Sequence, residues 1–181
     1  MRGYFAMGVE GSSKPHNLGN LVRSSHSFGA SFFFTVAPVV DVRSVRQTDT
    51  SDAFDHLPFY NFETIDDLKL PRKCALVGVE LMEDSVELPS FRHPLRAAYI
   101  LGPERGSLSE AVVEKCDHII KIPMKFCVNV GVAGAIVMYD RLISLGRFPA
   151  RGVKAGGPSE FLPEHVQGGQ VIRSGKEKTS D

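Results

Sequence analysis

The chain has 181 residues, 43% hydrophobic and 23% charged, which is long enough for one domain with a proper core. Lysine plus arginine and aspartate plus glutamate number 21 each, and this balance disfavours a protein that binds nucleic acid through bulk positive charge. The longest apolar run, from about Phe28 to Val40, is too short to span a bilayer.

Cysteine and histidine usage disfavours disulfides and metal sites. The three cysteines (Cys74, Cys116 and Cys127) are far apart and spell neither a zinc pair nor a redox pair. The six histidines include no pair at the helical spacing of a metal site. The chain also begins without a signal peptide, so we expect a reduced, cytoplasmic protein that binds neither metal nor membrane.

The N-terminal part predicts a strand, a loop, a helix and a second strand. Apolar residues at helical spacing predict a helix from about Leu18 to Phe28, with Asn17 as its cap and Gly29 at its end. The flanking strands are predicted at Tyr4–Val9 and Ser31–Ala37. Such a start implies a parallel sheet covered by helices.

Residues 41–57 are polar and predict a long loop with a short helical turn, which in a compact domain is usually functional or mobile. Beyond it we predict a short strand over Phe59–Phe62 and a short helix capped by Thr64. A buried strand over Cys74–Val79 and an edge piece over Val86–Leu88 follow.

Two strand–turn–helix units occupy residues 97–145. Each strand is apolar and ends in a turn rich in glycine or proline. We expect the two strands to end side by side, and ligands of open α/β sheets bind outside such carboxyl ends. The units comprise a strand over Ala97–Leu101, a helix from Ser107 or Ser109 to about Cys116, a strand over His118–Ile122, and a helix from about Asn129 to Leu145.

After Gly146 the composition shifts towards glycine, proline, lysine and serine. Residues 147–181 are predicted to form a poorly ordered tail or, alternatively, an arm that packs on a partner subunit or touches substrate. The folded domain is expected to comprise residues 1–146.

Several polar residues stand out by position alone. Arg23 lies one turn inside the first helix, where it is either an exposed charge or a bidentate phosphate ligand near the strand ends. Glu104 follows a buried strand in a glycine-rich turn, where sites often occur. Asn129 is most simply a helix cap, and Cys127 a buried small residue.

Common nucleotide and hydrolase motifs are missing. No G-x-x-x-x-G-K-[ST] occurs, and Gly8–Lys14 echoes it only weakly with the wrong spacing. No G-x-G-x-x-G follows the first strand, and no G-x-S-x-G is present, which disfavours a dinucleotide site and a serine hydrolase.

Three stretches, taken in order, resemble the motifs of the SpoU/TrmH family of SPOUT RNA methyltransferases. The first is N-x-G-N-x-x-R followed by Phe-Gly, the second a strand ending in G-x-E, and the third I-P-M, a loop and L-N-V-x-V-A. The resemblance covers roughly residues 4–146. The matching residues are Asn17, Gly19, Asn20, Arg23, Phe28 and Gly29, then Gly102, Pro103 and Glu104, then Ile122–Met124 and Val128–Ala133.

The resemblance implies an α/β fold, with a parallel sheet, helices on both faces and a C-terminal deep trefoil knot, which is a rare exception among protein chains. It implies a homodimer that binds S-adenosylmethionine in the knot and methylates a ribose 2′-hydroxyl of RNA. We lean slightly to tRNA over rRNA because the chain has no appended rRNA-type domain. The implied cofactor contacts are Leu101, Gly102, Ile122, Met124, Val128 and Asn129.

The resemblance assigns catalytic roles to Asn17, Arg23, Glu104 and Asn129. Arg23 would hold the adjacent phosphate, since a guanidinium hardly deprotonates, and the general base stays open. Glu104 would orient Arg23 or Asn17, within one subunit or across the dimer, while the asparagines hold ribose and loop. Further candidates for contacts with the RNA backbone are Arg43, Arg46, His56, Arg92, Arg96 and Arg105.

Three departures from the family pattern occur, of which the first two alter the wall of the cofactor pocket and the hydroxyl nearest the chemistry. The loop between Met124 and Asn129 is short, Cys127 replaces the usual serine, and Gly106 stands one place early. Two alternatives therefore stay open: a base-methylating enzyme of the same fold, and an RNA-binding or ribosome-assembly module without turnover.

Overall fold

A computed structural model describes residues 3–40 and 53–148 of the chain. These residues contain a seven-stranded sheet in which every hydrogen-bonded pair of strands is parallel. The strands are β1 (Tyr4–Glu10), β2 (Phe32–Val36), β3 (Phe59–Phe62), β4 (Ala75–Val79), β5 (Val86–Glu87), β6 (Arg96–Leu101) and β7 (His118–Lys121). Their order across the sheet is β3-β2-β1-β6-β4-β7-β5.

Helices cover both faces of this sheet, as predicted. The alternation of side chains along β1 sends Phe5, Met7 and Val9 into one core and Ala6 into the other. The helices are α1 (Pro15–Ser27), α2 (Ala53–His56), α3 (Glu110–Lys115) and α4 (Val130–Leu145), with 3-10 turns at Ile65–Asp67 and Leu88–Ser90. The first core includes residues of α1, α2 and α4, and the second includes Val112 of α3.

No helix within residues 3–40 and 53–148 is long and apolar enough to cross a membrane. One compact unit of the chain comprises Met1–Gly146, and the limit of the methyltransferase domain at Gly146 stays a prediction. The predicted tail lies outside the described residues from residue 149 onward.

Local signals predicted some helix ends correctly and others wrongly. Gly29, with φ of 76°, follows α1 as predicted, and the Ser109 hydroxyl accepts a hydrogen bond from the Val112 N–H at the start of α3. Asn17, however, is not the cap of α1. The helix begins at Pro15, whose fixed φ suits a first turn, so Asn17 lies inside the helix and is buried.

The order of the strands also corrects the sequence analysis. We expected β6 and β7 to end side by side, but β4 lies between them and pairs with both. Val79, the last residue of β4, is in register with Leu101 on one side and Ile120 on the other. The residue after Val79 therefore lies between the two turns that the motifs mark.

The C-terminal half of α4 is fixed to the amino ends of β1 and β6 by Arg141. This side chain is fully buried and donates hydrogen bonds to the carbonyls of Pro94 (2.6 Å), Leu95 (2.9 Å) and Tyr4 (3.3 Å). It also donates to the Tyr99 hydroxyl at 3.1 Å, and burial raises the pKa of Tyr99 to about 12, which keeps that hydroxyl protonated. One guanidinium thus satisfies acceptors from three segments.

We expect Arg141→Met to lower the free energy of unfolding by about 3 kcal/mol, because several shielded carbonyl oxygens lose their donor while the aliphatic volume is kept. Urea denaturation followed by circular dichroism measures this loss. The matched control is Arg72→Met, at an exposed arginine, which should change stability little. Equal effects of the two substitutions would contradict the anchoring role.

Candidate active site

A cavity of about 400 Å³ opens at the carboxyl ends of β4, β6 and β7. This is the position at which open parallel sheets bind ligands. Its walls contain every residue that the resemblance assigned to the cofactor: Leu101, Gly102, Ile122, Met124, Val128 and Asn129. Asn17 and Glu104 line the same cavity, so that three of the four predicted catalytic residues, these two and Asn129, meet there.

The turn after β6 is compact because glycine occupies two of its positions. A Cβ on Gly102 would lie 3.1 Å from the Leu108 nitrogen, so a side chain there would push the turn away. Gly106 has φ of 131°, which side-chain-bearing residues rarely adopt. The second glycine of the motif, although it stands one place early, therefore still occupies a backbone conformation that requires glycine.

A chain of hydrogen bonds joins the three motifs. The Asn129 side-chain amide donates to Asn17 Oδ1 at 2.8 Å, and the Asn17 amide donates to Glu104 Oε1 at 3.2 Å. Asn129 Oδ1 in turn accepts from the Gly131 N–H at 2.8 Å, which confirms the predicted cap of α4. Both polar groups of the Asn17 side chain are thus hydrogen-bonded, the oxygen to the start of α4 and the amide nitrogen to the turn after β6.

The Glu104 carboxylate is held by donors from the loop after β1. Oε2 accepts from the Ser13 N–H at 3.1 Å and the Ser13 hydroxyl at 3.0 Å, and Oε1 from the Ser12 hydroxyl at 3.4 Å. Partial burial favours the neutral acid, but the hydrogen bonds from Ser13 and Asn17 outweigh it and lower the pKa of Glu104 below its ordinary value. Glu104 is therefore an ionised acceptor at neutral pH and orients Asn17.

Arg23 lies apart from this cavity, contrary to the expectation that it would reach the mouth at the strand ends. It is an exposed residue of α1 and lines a separate groove between α1 and α4, together with Val132 and Tyr139. Asn129 lines both the groove and the cavity. No hydrogen bond joins Arg23 to Glu104 within the described chain, so the predicted orientation of Arg23 by Glu104 does not occur within one subunit.

The residues predicted to contact RNA are scattered. Arg105 is exposed in the turn after β6, beside the cavity. Arg92 and Arg96 are exposed at the amino end of β6, which is the end of the sheet opposite to the cavity. His56 ends α2, with its ring 5.5 Å from that of His26 in a stacked arrangement. Arg43 and Arg46 lie outside the described residues.

Sequence reasoning missed several residues at the cavity. Lys14, Glu80 and Lys121 line it, and Glu80 and Lys121 stand at the carboxyl ends of buried strands, a signal that was available. Cys127 also lines it and is exposed, so the expectation of a buried cysteine was wrong. No group of three histidine, cysteine or acidic residues that could hold a metal occurs among residues 3–40 and 53–148.

The parallel sheet, with a cavity at the carboxyl ends of three of its strands, defines an α/β protein with a candidate small-molecule site. The model of the SpoU rRNA Methylase family matches residues 5–139. The chain belongs to that family, which confirms the resemblance drawn from the three motifs.

The most similar sequences include a protein of Staphylococcus aureus (strain COL) named as a TrmH family tRNA/rRNA methyltransferase. It is 29% identical over 144 residues, which cover 73% of this chain and 56% of that protein. A protein of the same name from Staphylococcus haemolyticus is also 29% identical over 144 residues, 73% of this chain and 55% of its own. The chain therefore spans about half the length of the curated relatives it matches.

Solved structures share the fold at low sequence identity. An rRNA methyltransferase from Sinorhizobium meliloti aligns with a TM-score of 0.70 and 20% identity, over 81% of this chain and 58% of that one. The methyltransferase AviRb from Streptomyces viridochromogenes, in complex with AdoMet, aligns with a TM-score of 0.69 and 21% identity, over 79% of this chain and 61% of that one. A structure that concerns 2-OH methylation of C/U34 on tRNA aligns with a TM-score of 0.67 and 20% identity, over 79% of this chain and 97% of that one.

We expect Glu104→Gln to lower stability at neutral pH and to lose this effect in acid. The pKa of Glu104 is lower in the folded chain than in the unfolded chain, so the carboxylate adds stability above its unfolded pKa, about 4.3. That contribution disappears as the pH falls through the lowered folded value. Unfolding free energies of both proteins between neutral and acid pH test this, and a difference that grows with acidity would contradict it.

Proposed function

We propose that residues 1–146 form a methyltransferase domain that transfers the methyl group of S-adenosylmethionine to a ribose 2′-hydroxyl of structured RNA, in the cytoplasm. The observation that carries this proposal is the convergence of all six expected cofactor residues, Asn17 and Glu104 on one cavity. Membership of the SpoU rRNA Methylase family supports the reaction class.

The cavity suits S-adenosylmethionine in size and chemistry. Its volume of about 400 Å³ lies within the range of small-molecule sites. Leu101, Ile122 and Met124 offer apolar surface to an adenine ring, while Lys14 offers a positive charge to the carboxylate of the amino acid part. When bound, the cofactor supplies an electrophilic methyl group on a sulfonium, and the AdoMet complex of AviRb, which shares this fold, supports its assignment here.

The asparagines are placed to hold the ribose whose hydroxyl is methylated. The Asn17 amide is locked between Asn129 and Glu104, so its orientation is fixed before substrate arrives. The Asn129 amide donates one hydrogen to Asn17 and has a second hydrogen for a ribose oxygen. Preorganised donors of this kind reduce the cost of aligning the nucleophile with the methyl group.

Arg23 would bind a phosphate of the RNA in the neighbouring groove, while the ribose reaches Asn129. Asn129 lines both the groove and the cavity, so a nucleotide that spans them meets the guanidinium and the amide together. Within the described residues, no hydrogen bond or ion pair occupies the Arg23 side chain, which leaves its donors for a phosphate.

We favour tRNA slightly over rRNA. A structure that concerns 2-OH methylation of C/U34 on tRNA shares this fold over 97% of its own length, which supports a tRNA substrate. The same likeness of fold supports a deep trefoil knot around the third motif, as the resemblance implies.

A homodimer that packs on the apolar part of the groove between α1 and α4, and leaves Arg23 accessible to RNA, completes the proposal. Val132 and Tyr139 are 49% and 53% exposed on α4, and Phe28 and Ile136 continue the apolar surface. Exposed apolar surface of this kind marks an interface. A second copy of the chain would bring its own groove to this face and place the two sites near the interface.

The proposed activity predicts that calorimetry detects binding of S-adenosylmethionine, and that nuclease digestion with mass analysis of methylated tRNA yields a 2′-O-methylated nucleoside. Arg23→Ala should lower kcat/KM for RNA about 100-fold through lost clamping and leave cofactor affinity unchanged. Arg72→Ala, at another exposed arginine, is the control. Absence of cofactor binding would favour a non-catalytic RNA-binding module, and a methylated base would favour the base-modifying alternative.

The proposed dimer predicts that Val132→Asp shifts the chain to a monomer in sedimentation equilibrium, because a carboxylate in an apolar interface loses hydration without a partner. Val39→Asp is the control, since Val39 is 75% exposed and does not line the groove. A wild-type monomer, or equal dissociation by both substitutions, would overturn the interface.

A further inference from the structure

Glu80 occupies the position between the two turns that line the cavity. It follows β4, and its backbone N–H donates to the Ile120 carbonyl of β7 at 2.9 Å. Its side-chain Oε2 accepts a hydrogen bond from the Leu108 N–H at 2.8 Å, and Oε1 accepts from the Leu81 N–H at 2.9 Å. One residue thereby connects the end of β4, the end of β7 and the turn after β6.

The bond to Leu108 determines how closely the turn packs on the cavity wall. A Cβ on Gly102 would lie 3.1 Å from the Leu108 nitrogen and 3.4 Å from Glu80 Oε2, so all three groups meet around Gly102. Gly102 itself lines the cavity. Any movement of Leu108 away from Glu80 would therefore change the wall that Gly102 forms.

A second carboxylate holds the end of the same turn. Glu10, the last residue of β1, accepts a hydrogen bond from the Ser109 N–H at 2.8 Å. Successive amides of the turn, those of Leu108 and Ser109, are therefore bound by carboxylates from β4 and β1, on opposite sides of β6. Charge-assisted bonds of this type are stronger than neutral ones.

We infer that Glu80 is a positioning residue of the proposed S-adenosylmethionine site, with Glu10 as a second brace. Its carboxylate holds residues 102–109 in the cofactor-binding shape and thereby sets cofactor affinity, without contact with the transferred methyl group. The identity of the ligand rests on the proposed function, whereas the brace rests on the hydrogen bonds alone. A preformed wall raises affinity because binding need not order it.

The decisive variant is Glu80→Gln. The glutamine amide has one acceptor oxygen where the carboxylate has two, so its N–H₂ group faces the backbone N–H of either Leu108 or Leu81 without accepting from it. We expect the Kd values of S-adenosylmethionine and of S-adenosylhomocysteine each to rise about tenfold, the effect of one lost hydrogen bond. The kcat at saturating cofactor should stay near wild type, and amide hydrogen exchange over residues 102–109 should become faster. Glu114→Gln, at an exposed glutamate of α3, is the matched control and should change none of these.

S-adenosylhomocysteine separates positioning from contact with the reacting sulfonium, and the exchange measurement separates it from contact with the rest of the cofactor. It has a neutral sulfur, so a carboxylate that contacted the sulfonium would affect the affinity for S-adenosylmethionine alone. Selective loss of S-adenosylmethionine affinity would overturn the positioning role, as would unchanged affinity and exchange in Glu80→Gln. If Glu80→Gln fails to fold, Glu10→Gln carries the same test, with the same expected and contradicting results.

Failure of the proposed function gives a different result. A wild-type chain that binds neither compound would refute the cofactor assignment, while faster exchange over residues 102–109 in Glu80→Gln would still show the brace. Wild-type binding combined with unaltered exchange in both variants would refute the brace and leave the cofactor assignment intact.

Discussion

The hydrogen bonds through Asn17 are the interaction on which the site depends. They join Asn17 to Glu104, 87 residues later in the chain, and to Asn129, 112 residues later. A residue near the start of the chain thus fixes two later segments at one point. The amide suits this position because it donates and accepts at once. An aspartate of the same shape would place a second negative charge against Glu104, and a leucine would leave the partners of both atoms unsatisfied.

Close packing of α1 against α4 makes this connection short enough. A Cβ on Gly134 would lie 2.2 Å from Leu21 Cδ1, so the glycine in α4 admits the leucine of α1. Arg141 holds the other end of α4 on the amino edge of the sheet, and Asn129 caps the end at the cavity. The helix is therefore fixed at both termini, and the position of Asn129 follows from packing along its whole length.

The carboxylates at the cavity act mainly as acceptors for backbone N–H groups. Glu104 accepts from Ser13, Glu80 from Leu108, and Glu10 from Ser109. Loops in a ligand site have many amides without secondary-structure partners, and each amide shielded from water requires an acceptor. The balanced charge of the chain thus includes acidic residues that shape the site, while cations such as Arg23 and Arg105 are exposed, as the proposed RNA substrate requires.

The sequence by itself determined the parallel α/β class, the family and part of the set of residues around the cavity, because strand periodicity, glycine turns and the three motifs are local patterns. It did not determine that β4 separates β6 from β7, that Asn17 lies inside α1, or that Arg23 lies in a neighbouring groove. Strand order depends on which apolar faces pack best between segments far apart in the chain. The first residue of α1 is set by Pro15, about one turn before the start that the apolar periodicity indicated. Tertiary structure alone placed Glu80 between the two motif turns, since only the pairing of β4 with both neighbours brings its carboxylate to Leu108.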